Sequence, residues 1–328
     1  MKNLTMKFIN VGYGEAILLQ CPDSRFPGGM FTMLIDGGSG DAREYADSSS
    51  GRVPLWDFTE KASIDHIDLM VSTHTHEDHI CGLLPLVKAV SPAQLWQTLP
   101  AGLYPTLREL DTSVAQNLSQ DKFLHALNDY RTLCSMVEQK GGEIATVAAG
   151  ESYTLCQDLS CRILAPSSVK AAELKQATIE LYEEKDESDA FLQKLNALDA
   201  RMNNYSIILL LEYRGTRILL PGDTNCAGYD DLDSADIEAD IFKIGHHGQK
   251  DGISPSQLDA IAPGAIVCCA SSDRRYQSAP PELLLSILSR GISLWFSDCP
   301  PVPGAVIPPH EELVFTIGEN GAFHAEYR

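Results

Sequence analysis

The sequence predicts an α/β protein built in layers, with two mixed β-sheets packed face to face and helices outside. Three observations carry this expectation. Apolar and polar residues alternate around tight turns at the start of the chain, strands alternate with helical periodicity in the middle, and a hairpin pattern returns at the end. With 328 residues and 44% hydrophobic content, the chain can bury a large core. No stretch rich in Pro, Gly or Ser divides it, so residues 1–328 are expected to form one domain; "DCPPVPGAVIPP" reads as an irregular surface loop.

The elements follow in order. "LTMKFINVGYGEAILLQ" reads as a hairpin about a Gly-x-Gly turn, and "MFTMLIDGG" as a third strand closed by Asp-Gly-Gly. "IDLMVST" is a short strand that runs into "HTHEDH", and "ICGLLPLVKAV" has helical apolar density, which places the histidines on a strand-to-helix loop. Residues 105–140 and 168–200 read as helical insertions, the second an acidic, solvated face with no assigned chemistry. "SYTLC" and "CRILAP" lie between them as strands. "YSIILLLEYRGTRILLPGDT" is a hairpin turning at Arg214-Gly215, and "ADIFKIGHHG" is a strand ending in two histidines. "PGAIVCCASS", the helix "PPELLLSILSRG", "ISLWFSD" and the hairpin "HEELVFTIGENGAFHAEY" complete the chain.

The net charge of −20 opposes tight, sequence-independent binding of duplex DNA. Nine cysteines without a C-x-x-C pair predict reduced, mostly buried thiols rather than a disulfide framework. The first residues lack a signal-peptide pattern and no run is long and apolar enough for a membrane span, so a cytoplasmic protein without membrane association is expected.

Chemistry concentrates at three strand ends. "HTHEDH" offers His74, His76, Asp78 and His79 within six residues, and imidazoles with carboxylates are the donors of zinc, iron and manganese sites. On a loop, His74 and His76 can meet one ion while Asp78 and His79 turn to a second about 3.5–4 Å away. A polar helix start with Asp78 facing the dipole is the plainer alternative, but it gives no reason for three imidazoles. The zincin pattern does not apply, because His76 and His79 are three apart rather than four. "LLPGDT" and "IGHHG" are each weak alone. All three segments nevertheless end apolar strands, so Asp223 and one of His246 and His247 can join the same rim.

These motifs resemble the metallo-β-lactamase superfamily: H-x-H-x-D-H, the "PGD" turn and the "HHG" end. "FINVGYGEAILLQCP", "MLIDGG", "VSTHTHEDHICGL", "MNNYSIILLLEYRGTRILLPGD" and "FKIGHHG" narrow the resemblance to the ComEC type, the C-terminal hydrolase domain of DNA-uptake competence proteins and its free-standing relatives. The resemblance implies an αββα sandwich with helices on both outer faces. It also implies that His74, His76, Asp78, His79, Asp223 and His247 are metal ligands, that Asp223 is shared by two ions, and that His246 faces the substrate. Asn203 stands where many members carry another His and is expected to face the first ion. Asn204, Arg274, Arg275 and Tyr276 are candidate substrate contacts, and Asp298 reads mainly as a turn former. The chain departs from the pattern at Cys81, where Gly is usual, and in "RRYQSAPPE", which lacks a family His; Ser278 is its nearest replacement.

The expected function is a metal-dependent hydrolase acting on a phosphodiester in nucleic acid, a nucleotide or a phosphorylated small molecule. It would use two divalent transition-metal ions, zinc foremost, with manganese and iron as alternatives. A metal-bridged hydroxide would attack, Asp78 would orient it, and His246 would protonate the leaving group. Two alternatives stand beside this. The same site can hydrolyse a lactone or thioester, or the chain can be a metal-stabilised module that binds a protein partner through its acidic helical segments.

Overall fold

The computed structural model describes residues 3–328. The chain opens with strands β1 (Leu4–Ile9), β2 (Ile17–Pro22) and β3 (Met30–Ile35), then helix α1 (Leu55–Lys61) and strands β4 (His66–Ile67) and β5 (Leu69–Val71). Helices α2 (Glu77–Ile80) and α3 (Leu83–Ala89), strands β6 (Ser91–Pro92) and β7 (Gln94–Gln97), helix α4 (Leu118–Gln139) and strands β8 (Glu143–Thr146), β9 (Ser152–Cys156) and β10 (Leu159–Ala165) follow. Next come α5 (Ser168–Tyr182), α6 (Asp189–Met202), β11 (Ile208–Tyr213), β12 (Thr216–Leu220), α7 (Ser234–Ile237), β13 (Ile241–Lys243) and α8 (Pro255–Ile261). The chain closes with β14 (Ala265–Cys268), α9 (Pro281–Ser289), β15 (Ser293–Phe296), β16 (Glu312–Ile317) and β17 (Phe323–Tyr327).

One sheet has the order β17-β16-β1-β2-β3-β5-β7-β8 and the other β15-β14-β13-β12-β11-β10-β9. Both are mixed: β1, β2 and β3 pair antiparallel, whereas β3, β5, β7 and β8 run parallel. Alternation along β1 sends Leu4, Met6 and Phe8 into the space between the sheets, where they meet Phe315 from the first sheet and Leu211, Tyr213 and Ile218 from the second. Phe8 and Phe315 pack edge to face at 6.0 Å. Strand β11 is apolar on both faces because both are covered: Leu209 and Leu211 enter this central core, and Ile208 and Leu210 enter an outer one beneath α7, α8 and α9. The outer face of the first sheet packs under α1, α3, α4, α5 and α6. This is the four-layer αββα arrangement.

The sequence reading differs from the fold in places. Helix α4 begins at Leu118 rather than near 105, capped by Asn117, whose side chain accepts from the Gln120 amide at 3.0 Å. The segment at 168–200 is two helices, the second started by Ser188. Strands β7 and β8 were not legible as strands, since runs of only four residues carry little periodicity. Among the described residues, no helix is long and apolar enough to cross a membrane.

Candidate metal centre

Parallel strands direct their C-terminal ends to one edge of the sandwich, and the three motifs lie there. After β5 the chain passes through Ser72 and Thr73 to His74 and His76, and α2 then carries Asp78 and His79. Those two residues therefore sit on a helical turn rather than on the expected loop. Asp223 follows β12 on a turn in which Gly222 has φ 54°; a Cβ there would lie 3.0 Å from Thr73 Oγ1, so glycine answers both the left-handed backbone and the close approach. His246 and His247 follow β13 with φ 49° and 50°, and Asp36 after β3 has φ 55°. Non-glycine residues held in this region concentrate at sites where position matters more than backbone comfort. The Ile207 amide donates to Thr73 O at 3.0 Å, which ties the second sheet to the histidine loop.

Asp78, His79, Asp223 and His247 present ligand atoms that all lie within 4.8 Å of one another. His247 Nε2 is 3.0 Å from Asp78 Oδ2 and 2.8 Å from Asp223 Oδ2. His79 Nε2 is 3.3 Å from His247 Nε2, 3.2 Å from Asp223 Oδ2 and 4.0 Å from Asp78 Oδ2. Tetrahedral donors at about 2.0–2.1 Å from an ion stand about 3.3 Å apart, so this quartet has the dimensions of a first coordination shell. Beside it, His74 Nε2 and His76 Nδ1 face each other at 3.1 Å.

Hydrogen bonds behind the rings indicate which nitrogen is free on each. Thr73 Oγ1 donates to Asp36 Oδ2 at 2.6 Å and can thus accept from His74 Nδ1 at 3.1 Å, leaving His74 Nε2 bare. His76 donates from Nε2 to Asp199 Oδ1 at 3.1 Å, leaving Nδ1 bare. His79 donates from Nδ1 to Asp36 Oδ2 at 2.7 Å, and His247 from Nδ1 to Cys269 O at 3.0 Å. In the neutral tautomers that these bonds select, every inward-facing nitrogen offers a lone pair, and four such lone pairs beside two carboxylates form a donor set for cations once His79 and His247 give up their protons. Asn203 supports the same reading. It lines the cavity above these groups, and its Oδ1 is buried without a hydrogen-bond partner. Buried lone pairs, facing carboxylates and an orphaned amide oxygen together fit divalent metal.

Charge is balanced from behind as well. Lys243 is fully buried, ion-pairs Glu15, and donates to Asp223 Oδ1 at 3.1 Å and to Gly222 O at 2.8 Å. Burial opposes the ammonium, yet Glu15 and Asp223 hold its pKa above the ordinary value. Burial likewise opposes charge on Asp223, but His247, His79 and Lys243 keep its carboxyl well below the usual range. In the protein without metal, burial would discharge His247, while Asp223 and Asp78 pull its pKa up to about 9; His79 is raised in the same way by Asp223 and Asp36. Burial, followed by His79 and His76, pushes His74 down, so it stays neutral.

The centre forms the floor of a cavity of about 540 Å³, lined among others by Tyr13, His76, Asp78, His246 and Tyr276. His246 lies on its wall with Nδ1 2.9 Å from Asp251, whereas His247 is in the buried cluster. Three candidate contacts lie elsewhere. Asn204 Oδ1 accepts from the Asn225 amide at 3.3 Å and secures the turn after Asp223. Arg274 donates to Pro301 O, and Arg275 pairs with Glu44 and with Asp273 at 3.1 Å, so neither guanidinium lines the cavity. Asp298 is more than a turn former. It is fully buried and accepts from Arg52, Asn10 and the amides of Ser272 and Cys299.

Two groups carry more than the sequence indicated. Asp36 orients both Thr73 and His79, and "LIDGG" hinted at it only as a turn. Asp199 comes from α6, within the 168–200 segment expected to carry no chemistry, and reaches His76 across 123 positions of sequence; Ser119 of α4 donates to its other oxygen at 2.9 Å.

Residues 12–127 match the family model described as Metallo-beta-lactamase superfamily. "ComE operon protein 3" of Bacillus subtilis (strain 168) is 22% identical over 293 residues, covering 86% of this chain; the chain spans 30% of that protein's length. Among solved structures, a putative metal-dependent hydrolase from Parabacteroides distasonis has 13% identity, 89% and 92% coverage of the two chains and a TM-score of 0.43. Zn(2+)-bound PqqB from Methylobacterium extorquens has 16% identity, 70% and 56% coverage and a TM-score of 0.34. The αββα layers and the donor cluster at their edge place the chain in the class of metal-dependent hydrolases. Its N-terminal third carries the metallo-β-lactamase superfamily match, and the chain as a whole resembles ComEC-type proteins.

Two predictions follow from this electrostatic arrangement. Zinc binding to the metal-free protein at pH 7 should release protons, because His79 and His247 have raised pKa values and carry protons until an ion displaces them. The release should shrink as the pH passes about 9, where His247 is already neutral. Titration calorimetry in buffers of different ionisation enthalpy measures it; no released proton at pH 7 would show that the imidazoles are neutral beforehand. Lys243→Met should cost about 3–5 kcal/mol in urea unfolding of the chelated protein, because Glu15 and Asp223 lose their buried counter-charge. Adding Glu15→Gln should restore part of the loss.

Proposed function

We propose that this protein is a phosphodiesterase that acts on a small or single-stranded substrate with two divalent transition-metal ions, zinc first and manganese or iron as alternatives. The observation that carries the proposal is the convergence of Asp78, His79, Asp223 and His247 on the floor of a cavity, with His74 and His76 adjacent. The ComEC-type resemblance supports a phosphodiester. His74 and His76, faced by Asn203, would hold one ion; Asp78, His79 and His247 would hold the other, with Asp223 shared. Such ions supply Lewis acidity and make water nucleophilic near neutral pH.

The chain's own groups then have distinct tasks. Asp78 sits at the boundary of floor and cavity, where its carboxylate can orient an incoming water. Asp251 holds His246 through Nδ1, and a second proton carried on Nε2 would be the one given to the departing oxygen. Burial, then Asp78 and Asp223, push the Tyr13 hydroxyl well above its ordinary pKa, so it remains a neutral donor to a substrate oxygen. Its ring lies 4.5 Å from that of His247, which fixes its position.

Asp223→Ala should abolish metal-dependent hydrolysis and lower metal content. His246→Ala should lower kcat while keeping most of the metal, by elemental analysis. Loss of metal from His246→Ala with retention in His247→Ala would reverse the roles within the pair.

Substrate size is the second expectation. Lys122 on the cavity wall is paired with Glu77 at 3.0 Å, the guanidinium groups of Arg274 and Arg275 are engaged elsewhere, and the net charge is −20. A long duplex finds few phosphate partners on such a surface. At fixed ionic strength, kcat/KM should therefore be higher for a dinucleotide or single-stranded oligonucleotide than for duplex of the same sequence. A lactone and a thioester belong in the same assay. Their turnover with phosphodiesters inert, or faster cleavage of duplex, would overturn the proposal.

A further inference from the structure

Far along β2 from the metal centre, two thiols that the hydrolytic reading does not use face each other across the sandwich. Cys21 lies near the end of β2 in the first sheet, and Cys156 ends β9, the edge strand of the second. They are 135 positions apart in sequence, both are buried, and their Sγ atoms are 2.9 Å apart, about 1 Å more than a covalent S–S bond. Their neighbours hold this approach in place. The Gln157 amide, next to Cys156, donates to Asp23 Oδ2 at 2.8 Å, and Asp23 is two residues beyond Cys21. A second polar tie between the same two segments thus fixes the backbones that carry the sulfurs.

The geometry points to Cys21 and Cys156 as a disulfide-forming pair that clamps the two sheets together at the end opposite the metal centre. Metal ligands come from both sheets, so an ion is itself a clamp, and a disulfide would keep the sheets docked when the ion is absent. The step needs a two-electron oxidant of the small-molecule disulfide class, such as oxidised glutathione. One cysteine thiolate attacks a glutathione sulfur and expels one glutathione thiolate; the second cysteine then attacks the protein sulfur of the mixed disulfide and expels the other. Two S–H bonds become one S–S bond, and oxidised glutathione becomes two thiols. Cys156 is suited to attack first, because it terminates an edge strand beside the exposed Gln157-Asp158 turn, where local opening admits a reagent. The side-chain contact with the Cys21 thiol also lowers the pKa of Cys156.

The test uses the full chain, stripped of metal by chelation and equilibrated with oxidised or reduced glutathione. Free thiols are then alkylated and the protein is digested for peptide mapping, with melting followed in parallel. The oxidised sample should contain the Cys21 peptide linked to the Cys156 peptide and should melt several degrees higher than the reduced one. Cys21→Ser should remove both effects, and Cys156→Ala serves if that variant folds poorly. Alkylation of both cysteines in the oxidised sample, or linkage of Cys21 to another cysteine, would overturn the pair. A linked pair that leaves the melting temperature unchanged would overturn the clamp.

Discussion

The arrangement turns on one constraint: lone pairs and carboxylates of the same polarity are packed where two separate sheets meet. The first sheet supplies His74, His76, Asp78 and His79, and the second supplies Asp223 and His247. Within Coulombic reach and away from water, such groups repel unless positive charge lies among them or behind them. The fold provides the second kind of charge in Lys243, which sits beneath Asp223 and beside Glu15. It leaves the first kind to cations between the donors. Metal binding and the docking of one sheet on the other are consequently coupled, because an ion held by donors from both sheets adds to the apolar core that already joins them.

That constraint accounts for features that would otherwise look unfavourable. A left-handed backbone at Asp36, His246 and His247 costs conformational energy, yet each case sets a side chain that a relaxed turn would misdirect. Asp36 is the most economical example, because one carboxylate fixes Thr73, through it His74, and also His79. The outer hydrogen bonds to Asp36, Asp199 and Cys269 choose a tautomer for each imidazole, so the donors are oriented before any ion arrives.

Much of this was legible in the sequence because it depends on local order. Six residues carry His74 to His79, and the ends of apolar strands mark where Asp223 and His247 must lie. The order within the His246-His247 pair was read from resemblance, and the structure places His247 among the donors with His246 outside them. What escaped was non-local. Nothing near Asp199 distinguishes it from other acids on a charged helix; its role exists only once α6 has folded over a loop far away in the chain. The same holds for Arg274 and Arg275, whose charge suggested phosphate until Glu44, Asp273 and Pro301 were seen to occupy them. Side-chain partners chosen by tertiary packing leave no mark on the local pattern.

Asp199 also ties the helical insertions to the centre. It accepts from His76 with one oxygen and from Ser119 with the other, joining the start of α4 and the end of α6 to a candidate ligand. These same helices wall the cavity through Asn117, Ser119, Lys122 and Asp199. Any ion that holds His76 in place must therefore favour the docked position of both helices, and docking must favour the ion by the same free energy. Cavity shape is then not independent of metal occupancy. A substrate meets a wall whose position is set partly by the atoms that are to act on it.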